Sequence, residues 1–155
     1  MTEKKMDRVE RTTVLHAPCR RVWQALTDLR EFGRWFGIQS GDSFAPGAHV
    51  RGVNTRKGFE KVKWEITVEA MEPERLFSWR WHPYAIDPQV DYSSEPTTLV
   101  VFRLEPAGDD TKLTVIESGF ERLLPARRDQ AYPKHEEGWT WQLKSIEKHL
   151  GRTGT

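Results

Sequence analysis

The sequence predicts an α+β fold: a curved antiparallel sheet wrapped around a long C-terminal helix, with two short helices after the first strand. Three observations carry this. In residues 61–70, Val62, Trp64, Ile66, Val68 and Ala70 alternate with Lys61, Lys63, Glu65, Thr67 and Glu69, the period of a half-buried strand. Near the C-terminus, Trp139, Leu143, Ile146 and Leu150 recur at spacings of 4, 3 and 4, which makes one apolar stripe of a helix. The order strand, two helices, several strands, long helix keeps helices apart from strands, as α+β domains do.

The elements follow in order. Residues 8–16 are rich in Thr and Val and read as a strand. Ala17-Pro18 closes it, because proline cannot continue a ladder and suits the first turn of a helix. A helix is expected over 18–26, with Val22, Ala25 and Leu26 on one face. Asp28 and Glu31 have the spacing of a capping box, opening a second short helix over 28–35 that buries Leu29, Phe32 and Trp35 or Phe36. A weaker strand over 48–54 follows Gly47. After the alternating run, Glu72-Pro73-Glu74 reads as a hairpin turn. The next run, 75–82, sets Phe77, Trp79 and Trp81 on one face and Ser78, Arg80 and His82 on the other. A loop over 83–96 leads to strands at 97–104 and 112–118 about a turn at Gly108-Asp109-Asp110. The last helix is expected from about Lys134 to Leu150, roughly 25 Å long and able to cross about five or six strands. Trp141 lies off its stripe and is expected to be exposed.

Length and charge exclude several classes. A chain of 155 residues fits one domain, expected over 1–155 with an ordered core of about 8–150. With 24 basic and 23 acidic residues, it lacks the basic excess of a nucleic-acid binder. Residues 1–10 lack the apolar run of a signal peptide, and no stretch suits membrane insertion. Cys19 is the single cysteine, so no intramolecular disulfide forms, and a cytoplasmic protein is expected. His16, His49, His82, His135 and His149 lack the close spacing of a zinc site. No phosphate loop, nucleophile elbow or dinucleotide fingerprint is present, so no metal or cofactor is expected.

Seven tryptophans are the main functional clue. Phe77, Trp79 and Trp81 share a face, and Trp64, Phe102, Trp139 and Leu143 are apolar positions on elements expected to neighbour it. Each alone is ordinary core; as a group they suggest the wall of an apolar pocket. Glu117 shares a strand face with Leu113 and Val115, so it either points inward or sits wet at the strand end. An inward carboxylate loses hydration, which raises its pKa unless a cation pairs with it. Arg11 is a candidate partner if the first strand's register turns it inward. His82 ends the Trp-rich strand, where it either orients a ligand or faces solvent. Cys19 stands beside Arg20 and Arg21 in the first turn of an expected helix, but no histidine is linked to it as a base, and a passive cysteine is expected.

Three segments then carry a resemblance over about residues 8–150. They are Ala17-Pro18 with Val22-Trp23-Gln24-Ala25-Leu26-Thr27-Asp28 and Trp35-Phe36; Glu72-Pro73-Glu74-Arg75-Leu76-Phe77-Ser78-Trp79; and Glu117-Ser118-Gly119-Phe120 with Gly138-Trp139 and Leu143, Ile146 and Leu150. The chain resembles the START-like (SRPBCC, Bet v 1-like) superfamily with its helix-grip fold. Within it, the best match is the family of homologues of the C-terminal domain of the heat-shock-chaperone ATPase activator. The resemblance implies a hydrophobic cavity between sheet and C-terminal helix, used in the superfamily for lipids, sterols, polyketides and plant hormones. Some members are cyclases or hydrolases, with no shared catalytic residues to carry over. The expected function is binding of a small hydrophobic or aromatic molecule by Trp64, Phe77, Trp79, Trp81, Phe102, Glu117, Trp139 and Leu143. The alternatives are a cyclase or hydrolase on the same fold, and a chaperone-linked interaction module of the stress response. The eukaryotic activator carries an extra N-terminal domain for which this chain has no room, so a co-chaperone role is not expected.

Overall fold

The computed structural model describes residues 6–153. β1 (Arg8–Leu15) leads into α1 (Cys19–Thr27) and α2 (Leu29–Phe36). There follow β2 (Ile38–Gln39), β3 (His49–Asn54), β4 (Lys63–Glu72), β5 (Leu76–Trp81), β6 (Thr98–Ala107) and β7 (Asp110–Ser118). A 3₁₀ turn, Phe120–Arg122, precedes α3 (Pro125–Thr153). The strands form one antiparallel sheet in the order β1-β7-β6-β5-β4-β3-β2. The helices pack on its concave face, so the helix-grip arrangement expected above is the one observed. The expected fraying of the first residues and the tail falls largely outside the described residues.

Local chemistry explains the short helices. Pro18 is the N-cap of α1, and Val22, Ala25 and Leu26 form its buried face. The Asp28 carboxylate accepts from the backbone N–H of Arg30 and Glu31, capping α2. The capping box is only half made: Glu31 turns away from Asp28 and pairs with Arg21 and His149. Gly37 ends α2 with φ +94°, the left-handed conformation that glycine adopts without cost. Gly33 is needed for a different reason. A Cβ there would stand 2.3 Å from the Ile38 carbonyl oxygen, so only glycine lets β2 pass so close to α2.

The sheet registers set the inner face. One row runs Val9, Glu117, Val100, Trp79, Val68 across β1, β7, β6, β5 and β4. The next runs Arg11, Val115, Phe102, Phe77, Met71. Ala70 is a correction: a bulge between Val68 and Ala70 shifts the register, so Ala70 pairs with Ser78 and Met71 takes the inward place opposite Phe77.

Two other elements depart from expectation. β2 is too short to carry a period, and it exists because it pairs with β3. α3 begins at Pro125 rather than near Lys134 and continues through Pro133. Proline gives up only its own bond to the carbonyl four residues back, and packing of the flanking turns sustains the helix. Ala131, Tyr132, Trp139, Leu143, Ile146 and Leu150 are buried along α3, while Trp141 is 53% exposed, with the Arg56 guanidinium 3.6 Å from its ring centroid.

Polar contacts seat α3. The Arg11 side chain lies on the inner face but reaches α3, donating to Thr140 Oγ1 at 3.0 Å and to the Glu136 carbonyl. Thr13 bonds Glu147. From α2, the Phe36 carbonyl accepts from Gln142 Nε2 and the Trp35 carbonyl from Ser145 Oγ. Among the described residues, no helix is long and apolar enough to cross a membrane.

Candidate functional site

The space between sheet and α3 is filled with aromatic rings. Trp79 is fully buried, and its ring lies 5.2–6.5 Å, centroid to centroid, from those of Phe32, Phe36, Trp64, Phe77, Trp81, Phe102 and Trp139. Mostly tilted and edge-to-face, these contacts suit the ring quadrupole. Six of the aromatic and apolar positions singled out in the sequence are buried here: Trp64, Phe77, Trp79, Phe102, Trp139 and Leu143. Trp81, at the end of β5, is half-buried. Phe32 and Phe36 of α2 complete the cluster, and Phe44 packs on Phe77. Sequence reading had placed Phe32, with Trp35 or Phe36, in the core without joining them to the Trp-rich strand, because nothing local relates α2 to β5.

Glu117 stands at the edge of this cluster, fully buried, so its inward reading holds. Its place follows from the register. Glu117 is opposite Val100, and the Thr98–Trp81 pair lies one step along the same face, within diagonal reach. Oε2 accepts from Trp81 Nε1 at 2.8 Å and from Thr98 Oγ1 at 2.5 Å. Oε1 accepts from Trp139 Nε1 at 2.8 Å and faces His135 Nδ1 at 2.5 Å. Burial pushes this carboxyl's pKa up. The facing charge of His135, with hydrogen bonds from His135, Thr98 and Trp139, outweighs burial and holds it below the ordinary value.

Arg11 is therefore not the partner of Glu117, and the pKa moves down rather than up. Arg11 faces inward two residues along β1 from Val9 and is drawn to Thr140 and Glu136 instead. His135 was passed over as a functional residue, though it lies four residues before Trp139 and extends the same stripe by one turn. Thr98 was equally legible, as the first inward position of the run Thr98, Val100, Phe102, Leu104.

The loop 82–97 leaves the sheet at Trp81 and returns at Thr98, both donors to Glu117. It is tied down from α3: Arg127 Nε contacts both Glu95 carboxylate oxygens at 2.9 and 3.1 Å, and Nη2 donates to the Pro83 carbonyl at 2.7 Å. His82 Nε2 lies 3.1 Å from the Glu95 carbonyl, so it holds the loop. Cys19 lies beside Thr111, whose hydroxyl is 3.5 Å from Sγ, and packs half-buried against the edge of the hydrophobic core.

Two indole N–H groups in the cluster, Trp64 Nε1 and Trp79 Nε1, are buried and find no acceptor among the described residues. Two surface grooves lie outside the cluster. One, of about 230 Å³, is bordered by Arg8, Arg80, Leu99 and Arg122; the other, of about 410 Å³, by Arg11, Glu136, Thr140 and Trp141.

A family described as activator of Hsp90 ATPase homolog 1-like protein matches residues 16–151. No curated protein matches the chain. Among solved structures, protein MLL2253 from Mesorhizobium loti is 24% identical with a TM-score of 0.74, over 94% of this chain and 98% of that one. A protein from Arthrobacter aurescens is 18% identical with a TM-score of 0.79, over 97% and 90%. DynU16, from the dynemicin biosynthetic locus, is 25% identical with a TM-score of 0.71 over 94% of this chain, which spans 47% of DynU16.

Proposed function

The chain belongs to the activator of Hsp90 ATPase homolog 1-like family, and from that membership and its aromatic core we propose that it binds a small apolar or aromatic molecule between the sheet and α3. The wall of the site is Trp64, Phe77, Trp79, Trp81, Phe102, Trp139 and Leu143. The observation that carries the reading is the pair of unpaired indole donors, Trp64 Nε1 and Trp79 Nε1. A buried donor without an acceptor costs about 1–3 kcal/mol, and native cores keep few of them. A ligand oxygen reaching into the cluster removes that cost, while its rings replace ring–ring contacts the closed core already makes. Entry requires the loop 82–97 and the rings near Trp81 to part. The protein acts in the cytoplasm on this reading, with Cys19 reduced.

The test is a titration of indole fluorescence with a panel of flavonoids, aromatic polyketides and fatty acids. At least one class should quench saturably at one molecule per chain. A folded protein that binds none of them would refute the reading.

A second reading, acid–base catalysis on molecules of the same class, is favoured by one observation. Glu117 and His135 form a titratable pair inside the fold, as a cyclase or hydrolase needs. Turnover of a bound compound, abolished in His135→Asn, is the result it requires.

A further inference from the structure

The outer face of the sheet, turned away from the aromatic cluster, carries the groove of about 230 Å³ bordered by arginines. Its floor follows from the register. Arg80 pairs with Leu99, Leu99 with Ser118, and Ser118 with Arg8, so the four make one row across β5, β6, β7 and β1. They alternate with the inward residues Trp79, Val100, Glu117 and Val9, which sends them to the opposite face. Arg8 and Arg80 thus stand at the two ends of the row, with the Ser118 hydroxyl between them. Arg122, from the 3₁₀ turn after β7, adds a third guanidinium.

Arg122 is held in place by the backbone. Its Nη2 donates to the Thr97 carbonyl at 2.9 Å, and it lies against Gly119, where a Cβ would stand 2.8 Å from the same nitrogen. Among the described residues no carboxylate pairs with Arg122, so its charge is not neutralised. Arg80 contacts Glu69 through Nε alone, and Arg8 contacts Glu10 through Nη2. Each of the three keeps guanidinium nitrogens with no acceptor among the described residues, and so does the Ser118 hydroxyl. Asp7 and Glu121 also border the groove, leaving it positive by one charge. That small excess makes geometry the selector. A planar carboxylate is matched by one guanidinium fork, whereas a tetrahedral phosphate presents oxygens in several directions and can use forks from three sides.

We propose that this groove binds the phosphate group of a small soluble monoester, with Arg8, Arg80 and Arg122 on its oxygens and Ser118 donating from the floor. No bond is made or broken. The site lies across the sheet from the aromatic cluster and does not depend on the ligand-binding reading above.

The experiment titrates the full chain with methyl phosphate and with acetate by calorimetry. Methyl phosphate should bind saturably at one molecule per chain, at least about tenfold more tightly than acetate. Arg122→Gln and Arg80→Gln should each weaken it at least about tenfold, roughly the loss of one charge-assisted hydrogen bond. Arg103→Gln, on the same face of β6 but outside the groove, should leave it unchanged. No saturable binding, equal affinity for acetate, or an equal loss in Arg103→Gln would overturn the proposal. The comparison of the two anions needs no variant, so it decides even if a variant does not fold. A lipid headgroup offers the same chemistry, and flotation with phosphatidylcholine vesicles containing phosphatidic acid separates the two sources. The protein should stay with the aqueous phase, and co-flotation that methyl phosphate reverses would overturn the soluble ester in favour of a headgroup.

Discussion

His135 Nδ1 lies 2.5 Å from Glu117 Oε1, so α3 and the sheet are joined by a charged contact at the edge of an aromatic core. The pair is eighteen residues apart in sequence, and each member is held on other sides by rings: Trp139 and Trp81 on Glu117, Phe120 and Trp81 on His135.

Replacing Glu117 by Gln should destabilise the protein by about 3 kcal/mol at neutral pH, because breaking a buried pair leaves its partner uncompensated. The amide also turns one acceptor into a donor amid four donors. Urea denaturation of the parent and Glu117→Gln gives the difference, and an unchanged midpoint would show that the four contacts do not hold the fold.

Acid should weaken the fold through two carboxylates. At Glu31, burial raises the pKa, but hydrogen bonds from Arg21 and His149 and their charges outweigh it, and the folded value lies below the ordinary one. Glu117 is lowered in the same way. With the folded pKa below the unfolded one, their stabilisation is complete above the ordinary value near 4.5 and is lost as pH falls through the folded value. Melting temperature should therefore fall from about pH 5 downward. The slope should be shallower in Glu31→Gln and Glu117→Gln, and equal slopes in all three proteins would contradict the assignment.

Trp139 and Trp141 sit two residues apart on α3 with opposite fates. Trp139 is buried and donates to Glu117, so Trp139→Ala should cost about 3–5 kcal/mol. Trp141 is half in solvent under Arg56, so Trp141→Ala should cost no more than about 1 kcal/mol, the worth of an exposed cation–π contact. Equal losses in denaturant melts would mean the helix presents a different face to the sheet.

Arg127→Ala removes the ties from α3 to Glu95 and Pro83. Amide hydrogen exchange should quicken within 82–97 and stay unchanged in β6 and β7, since the loop is a separate low-stability segment. Ligand quenching of indole fluorescence should also become faster. Exchange that rises evenly across the sheet would show that Arg127 supports the whole fold rather than the loop.

What the sequence determined alone was periodic. The alternation of Trp64, Ile66 and Val68, the face shared by Phe77, Trp79 and Trp81, and the stripe Trp139, Leu143, Ile146 and Leu150 each depend on residues within one element, where backbone geometry dictates which side chains are neighbours. Those patterns were enough for an α+β fold with a sheet around a long helix, and they set Glu117 on the strand face of Leu113 and Val115 without deciding whether it points inward or sits wet at the strand end. The tertiary structure decided what local period cannot carry. The bulge between Val68 and Ala70 exchanged Ala70 for Met71, and β2 formed only through its pairing with β3. Packing carried α3 through Pro133 to Pro125, against the local penalty of proline. The choice of His135 over Arg11 for Glu117 was decided the same way, because an ion pair forms between whichever charges the register and the helix's axial position bring within reach, and both are set by the whole core rather than by any one segment.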